Sequence, residues 1–157
     1  MTYRILPLPL APFQPLFALP DAELESLGAR RMTADAPHSA PCRVSLADAE
    51  PGERLILLSH RHLDAPASPY RADGPVFVRE AAAEAAPVVD AVPEMLSRRL
   101  LSMRLYDAVA MMLDADVVEG VDLHGRLGAA FADPAVAEVH LHTARRGCYM
   151  ARAVRAG

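Results

Sequence analysis

The chain has 157 residues, of which 52% are hydrophobic, and a formal net charge of −4 at pH 7. This length fits a single domain that buries about two-thirds of the unfolded chain's surface. The negative charge, with no run of like charges, argues against a nucleic-acid surface or a polybasic membrane surface. All sixteen basic residues are arginine. Chemistry that needs a lysine, such as a Schiff base or a P-loop phosphate site, is therefore excluded.

The expected compartment follows from the cysteines and the N-terminal stretch. Cys42 and Cys148 lie far apart, and two cysteines in a chain of this size do not indicate the disulfide framework of a secreted protein. Prolines interrupt the apolar residues 1–19, which argues against a signal-peptide helix. No stretch approaches the roughly 20 apolar residues that a membrane span requires. We therefore expect a cytoplasmic protein with reduced thiols and no membrane segment.

The N-terminal half predicts short strands between proline-rich connections. Residues 3–6 are prone to form a strand, and Asp21 begins a short helix that Gly28 ends. The apolar run 54–60 predicts a central strand, and the alternating residues 75–79 predict its neighbour in one sheet. The other elements predicted here are an extended connector after residue 6, a loop at 33–41, a brief strand at 42–46, a turn at 48–53 and a loop at 62–74.

The second half contains a segment in which propensity and pattern disagree. Residues 96–113 are rich in Leu, Met and Ala, which favour helix, but apolar and polar residues alternate over 100–106. We predict a strand there, with a return strand over 111–118. Asp122 then caps a helix that stops at Asp133.

Residues 136–155 predict a closing β-hairpin with a tight turn at 145–147. Short helical segments within 80–92 and 93–98 complete the predicted elements. Strands with few helices indicate an α+β fold with a mainly antiparallel sheet, two or three short helices and the C-terminal hairpin. Exposed sheet edges would allow a homodimer.

The first hairpin strand carries Glu138, His140 and His142 at alternate positions, so these side chains project from one face. Two histidines at this spacing can chelate one ion, and we predict a transition-metal site formed by these three residues. The alternative is the polar side of a half-solvated sheet, whose histidines bind nothing. His60 and His62 also alternate, but beside an apolar run they are interpreted as packing and capping residues.

A second hypothesis makes Cys148 a nucleophile with His142 as its base. Arg145 and Arg146 in the turn would favour the thiolate, and Glu138 could orient the base. The alternative is an unreactive thiol that fills a gap in the core.

Arginine is the third candidate. Arg43, Arg71, Arg79 and Arg104 lie on or beside predicted strands, and a guanidinium suits carboxylate or phosphate. The alternative is that acidic residues of the protein pair with them. The predicted anion-binding residues are Arg43, Tyr70, Arg71, Arg104 and Tyr149.

An ordered series of motifs runs through the chain. They are Pro41-Cys42-Arg43, Pro51-Gly52-Glu53, Ser68-Pro69-Tyr70-Arg71, Gly74–Arg79, Arg104–Asp107, His140–Ala144 and Gly147-Cys148-Tyr149. This order resembles the bacterial domain-of-unknown-function family numbered 1203, from Tyr3 to Arg155. The resemblance implies a small single-domain bacterial protein. It implies no activity, because the family has none assigned.

Two functions stay open on the sequence. The first is a small domain that binds an anionic ligand or a protein partner through a cleft lined by Arg and His. The second is an enzyme built from His140, His142 and Cys148 around a transition metal, in which Arg43 or Arg104 orients an acidic substrate.

Overall fold

The structure, a computed structural model, describes residues 2–157. Its strands are β1 (Tyr3–Leu6), β2 (Arg30–Thr33), β3 (Pro41–Cys42), β4 (Ala47–Asp48), β5 (Arg54–Leu63), β6 (Ala72–Arg79), β7 (Val88–Val89), β8 (Leu100–Tyr106), β9 (Met112–Glu119), β10 (Glu138–Thr143) and β11 (Tyr149–Arg155). Its α-helices are α1 (Asp21–Ser26), α2 (Glu94–Ser97) and α3 (Leu123–Ala132), and its 3₁₀ helices are Gln14–Ala18 and Gly120–Asp122. No helix within 2–157 is long and apolar enough to cross a membrane.

The strands form two sheets, which we call sheet A and sheet B. Sheet A has the order β7-β1-β11-β10-β8-β9, and sheet B has the order β2-β5-β6-β3-β4. Neighbouring strands are antiparallel except β3 and β6, which are parallel. The α+β class and the antiparallel pairing are as predicted, but the sequence indicated one sheet where the structure has two.

The strand predicted over 100–106 against its helix propensity is confirmed as β8. Leu101 and Met103 are buried in the core while Ser102 and Arg104 face the other side. Burial on alternate residues outweighs intrinsic helix preference in this segment. The return strand β9 and the closing hairpin of β10 and β11 are also confirmed.

Other local predictions are wrong. Residues 80–92 contain strand β7 and turns rather than helix, because Pro87 interrupts the segment and Val88 pairs with Ile5 of β1. The loop predicted at 62–74 is shortened at both ends by β5 and β6. Three further differences are β2, which was not predicted, the two-residue length of β3, and the 3₁₀ helix in the N-terminal connector.

The largest core cluster lies on one face of sheet A. Helix α3 covers this face with Leu123, Leu127 and Phe131. Val139 and Leu141 of β10 point into the same core and are fully buried. The alternate residues of β10 therefore lie on the opposite face, which turns toward sheet B.

Candidate metal centre

Three histidines meet between the two sheets. His140 and His142 lie on β10, and His62 lies near the end of β5 in sheet B. The ring centroids of His62 and His142 are 4.9 Å apart, and those of His62 and His140 are 6.1 Å apart. His140 and His142 are each 1% exposed. This face of β10 is therefore buried, and it is not the half-solvated polar face that the sequence left open.

The three imidazoles converge through their nitrogens. One ring nitrogen from each of His62, His140 and His142 lies within 4.8 Å of the other two. Zn–N bonds of about 2.0–2.1 Å in a tetrahedral site place two nitrogens roughly 3.3 Å apart. The three nitrogens are therefore at most about 1.5 Å farther apart than the ligands of one ion.

The hairpin turn determines the tautomer of His142. Its Nδ1 lies 2.9 Å from the carbonyl oxygen of Gly147. A carbonyl can only accept a hydrogen bond, so Nδ1–H donates and Nε2 keeps its lone pair. Gly147 has a φ of +75°, a conformation that glycine adopts without strain, and this closes the turn back toward the ring.

A carboxylate determines the tautomer of His140. Its Nε2 donates to Oε1 of Glu138 at 3.1 Å. This hydrogen bond is the largest cause of the lowered pKa of Glu138, so the group is an ionised acceptor near neutral pH. Nδ1 of His140 therefore keeps its lone pair.

Each of the three rings has one buried nitrogen without a hydrogen-bond partner in the described part of the chain. His62 Nδ1, His140 Nδ1 and His142 Nε2 are buried and form no hydrogen bond within residues 2–157. An unsatisfied buried polar atom costs about 1–3 kcal/mol, and folded proteins leave few of them. Three in one cluster would be a large cost without a ligand, which an ion bound to all three would remove.

Burial keeps two of these rings neutral. It lowers the pKa of His62 to about 4 and that of His142 to about 3, and the charge of Arg104 adds to both shifts. A metal binds the neutral imidazole, so neither ring must lose a proton at neutral pH before it can coordinate.

Two buried tyrosines surround the imidazoles. The Tyr149 ring stacks on His62 with centroids 5.3 Å apart and an interplanar angle of 7°, and it meets His140 and His142 edge-on. Tyr106 packs against His140 at 5.0 Å. Tyr149, which the sequence predicted to bind an anion, is 2% exposed. It holds the histidine rings in place instead.

Arg104 also borders the cluster. It pairs with His140 across β8 and β10, and its Nε donates to Ser102 Oγ at 3.2 Å. Within 2–157 it forms no ion pair with a carboxylate. It therefore places a positive charge beside the histidines, which contributes to the lowered pKa of His62 and His142.

The structure brings two of the three predicted metal ligands together and gives the third another position. Glu138 contacts His140 at the nitrogen that faces away from the free lone pair, and it also pairs with Arg152. His62 takes the third place in the cluster. The sequence signal for His62 was its position two residues after His60, the same spacing as between His140 and His142. Its position beside an apolar run led instead to the packing interpretation.

The other predicted site residues lie elsewhere. Cys148 is outside the histidine cluster and lines a separate pocket with Arg43. Arg71 pairs with Asp64. Tyr70 is 38% exposed and contacts the Tyr106 ring.

Arg79 pairs with Glu53, with 2.7 Å between Arg79 Nη2 and Glu53 Oε1, as the structural alternative proposed. The four arginines therefore do not converge on a single cleft.

Cys42 and Cys148 are both free thiols.

Comparison with known proteins identifies the family. Neither the curated proteins nor the solved structures contain a match to this chain. A family model described as a protein of unknown function (DUF1203) matches residues 39–155, a span that contains all three histidines. The chain belongs to this family of proteins of unknown function, DUF1203.

Proposed function

We propose that the protein binds a divalent transition-metal ion through His62, His140 and His142. The observation that carries this proposal is the meeting of three imidazoles, each of which has a buried ring nitrogen without a hydrogen-bond partner within residues 2–157. Imidazole ligands suit zinc, copper, iron and nickel, whereas calcium and magnesium prefer oxygen. The protein therefore selects a first-row transition ion.

The hydrogen bonds behind the ligands support the same proposal. His140 donates to Glu138 and His142 donates to the Gly147 carbonyl, which leaves the second nitrogen of each ring free to bind an ion. Ligating histidines in known metal sites almost always donate their second N–H to a carboxylate or a carbonyl. Two of the three ligands are therefore already held in the required tautomer.

The number of ligands favours catalysis at the bound ion as the second candidate function. Structural zinc sites usually have four protein ligands, whereas catalytic sites keep three and leave a position for water. Three neutral histidines would also leave the full charge of a bound ion uncompensated, and such an ion would acidify a water bound to it. Arg104 would attract an anionic substrate to this position. We infer hydrolysis or hydration of an acidic substrate as the class of reaction.

Metal analysis of protein purified without a histidine tag tests the binding proposal. Chelator-treated protein is titrated with Zn²⁺, Ni²⁺, Co²⁺ and Mg²⁺, and binding is followed by calorimetry. We expect one transition ion per chain and no Mg²⁺ binding. Co²⁺ would also give visible d–d absorption characteristic of nitrogen ligands.

Single substitutions assign the ligands. His62→Ala, His140→Ala and His142→Ala should each abolish stoichiometric binding. His60→Ala is the matched control, since His60 lies on β5 two residues before His62 but outside the convergent group. Equal binding by His60→Ala and the three ligand variants, or no binding by the native chain, would overturn the proposal.

A further inference from the structure

A second site lies on the other side of the closing hairpin turn. A pocket of about 320 Å³ opens between the 38–43 segment, the Phe77 side chain, Arg99 and the 143–148 turn. Sites for small molecules start at about 300 Å³. The pocket is therefore large enough for a small organic molecule.

A buried charge without a counter-ion lines this pocket. Arg43 is 3% exposed, and its Nε donates to the Tyr149 carbonyl at 2.7 Å while Nη1 donates to the Pro41 carbonyl. It forms no ion pair with any carboxylate in the described part of the chain. Burial lowers its pKa to about 10, so the group stays charged at neutral pH. Buried charges in proteins are normally paired.

The neighbouring charges do not compensate Arg43. Asp48 is bound by Arg99, with distances from its two carboxylate oxygens to the Arg99 guanidinium of 2.6 and 3.1 Å. Arg146 lines the pocket from the exposed turn and has no partner among residues 2–157. Three guanidinium groups therefore border the pocket, and only that of Arg99 is paired with a carboxylate of the described chain.

We propose that this pocket binds a small organic carboxylate whose carboxyl group is the missing counter-ion of Arg43. A guanidinium offers five N–H donors, and the carbonyls of Pro41 and Tyr149 use two of those on Arg43. The remaining donors suit a bidentate carboxylate. Phe77 and Pro41 form apolar walls, which favour an organic anion over inorganic phosphate.

Protein-detected NMR titration with the metal-free chain tests this site separately from the metal centre. The probes are benzoate and succinate, with inorganic phosphate and neutral benzamide as comparisons. We expect saturable shifts at 39–43 and 143–148 with a carboxylate probe and none with benzamide. Binding should persist in His140→Ala, so the loss of metal binding would leave this result unchanged.

Two arginines in the turn give a matched pair of variants. Arg146 lines the pocket, whereas Arg145 does not. Arg146→Gln should weaken carboxylate binding about fivefold, and Arg145→Gln should leave it unchanged. Arg43→Gln should weaken it by about 30-fold or more, because the buried cation that pairs with the carboxylate is lost.

Three results would overturn the proposal. The first is that neither benzoate nor succinate shows saturable binding. The second is that benzamide binds as tightly as the carboxylates. The third is that Arg145→Gln weakens carboxylate binding as much as Arg146→Gln does. Phosphate binding with no carboxylate binding would also contradict it. Arg146 is exposed, so its variant decides the question even if Arg43→Gln fails to fold.

Discussion

Glu138 Oε1 accepts a hydrogen bond from His140 Nε2 at 3.1 Å, two residues along the same strand. This contact uses one nitrogen of His140 and leaves Nδ1 without a partner within residues 2–157. It also leaves Glu138 ionised, because the hydrogen bond lowers its pKa. A carboxylate behind a ligating imidazole raises the basicity of the ligand and holds its orientation.

Replacing this carboxylate should weaken metal binding without removing a ligand. Glu138→Gln keeps the size and an acceptor oxygen but loses the charge. We expect its metal dissociation constant to rise about 10- to 100-fold, as for other partners of ligating histidines. Calorimetric titration of chelator-treated protein measures it. Glu94→Gln, on the exposed side of α2, is the control, and an unchanged affinity for Glu138→Gln would contradict the role.

The stability of the metal-free protein should fall as the pH drops below about 6.5. His62 and His142 have folded-state pKa values of about 4 and about 3, below the unfolded value of roughly 6.5. Between these values the unfolded chain binds more protons, so acid favours unfolding. Each ring that stays neutral in the folded state contributes a slope of at most about 1.4 kcal/mol per pH unit.

Urea unfolding between pH 5 and pH 7 measures this slope, above the range in which ordinary carboxylates titrate. His142→Asn should flatten the slope, because it removes the more deeply buried of the two groups. His124→Asn is the control, since His124 is exposed on α3. A slope that is the same in both variants would show that His142 does not remain neutral in the fold.

Metal should stabilise the folded chain, because the three ligands converge only when the two sheets are assembled. At a free metal concentration of 100 times the dissociation constant, the free energy of unfolding should rise by about 2.7 kcal/mol. Thermal unfolding with and without Zn²⁺ measures this increase. The His62→Ala variant should show no shift, and a shift equal to that of the native chain would place the ion elsewhere.

Two glycines should respond to alanine in opposite directions. A Cβ at Gly120 would overlap the carbonyl oxygen of Leu96 and lie 2.7 Å from that of Arg99, so the backbone must move. We expect Gly120→Ala to destabilise the fold by about 2 kcal/mol or more, in the range of overpacked sites. Gly128 in α3 has open space around it, and Gly128→Ala should stabilise the helix by roughly 0.5–1 kcal/mol. Urea denaturation compares the two variants, and similar effects would contradict the reasoning.

Alternation along the chain was sufficient to predict the closing hairpin, β8 and the shared face of His140 and His142. These features depend on side chains that point to opposite sides of a strand at every step, a period of two that is written in the residue order. The short segment 80–92 could not be predicted in the same way. Its alanines favour helix, but pairing of Val88 with the distant Ile5 outweighs that preference.

The sequence by itself determined that two imidazoles and Glu138 share one face of β10. Only the tertiary structure decided that sheet B covers this face, that His62 supplies the third imidazole, and that Glu138 acts behind a ligand. It also separated Arg43 and Cys148 from the histidines. The physical reason is that packing of one sheet on another joins residues distant in sequence, and such packing depends on the complementarity of whole surfaces rather than on local spacing.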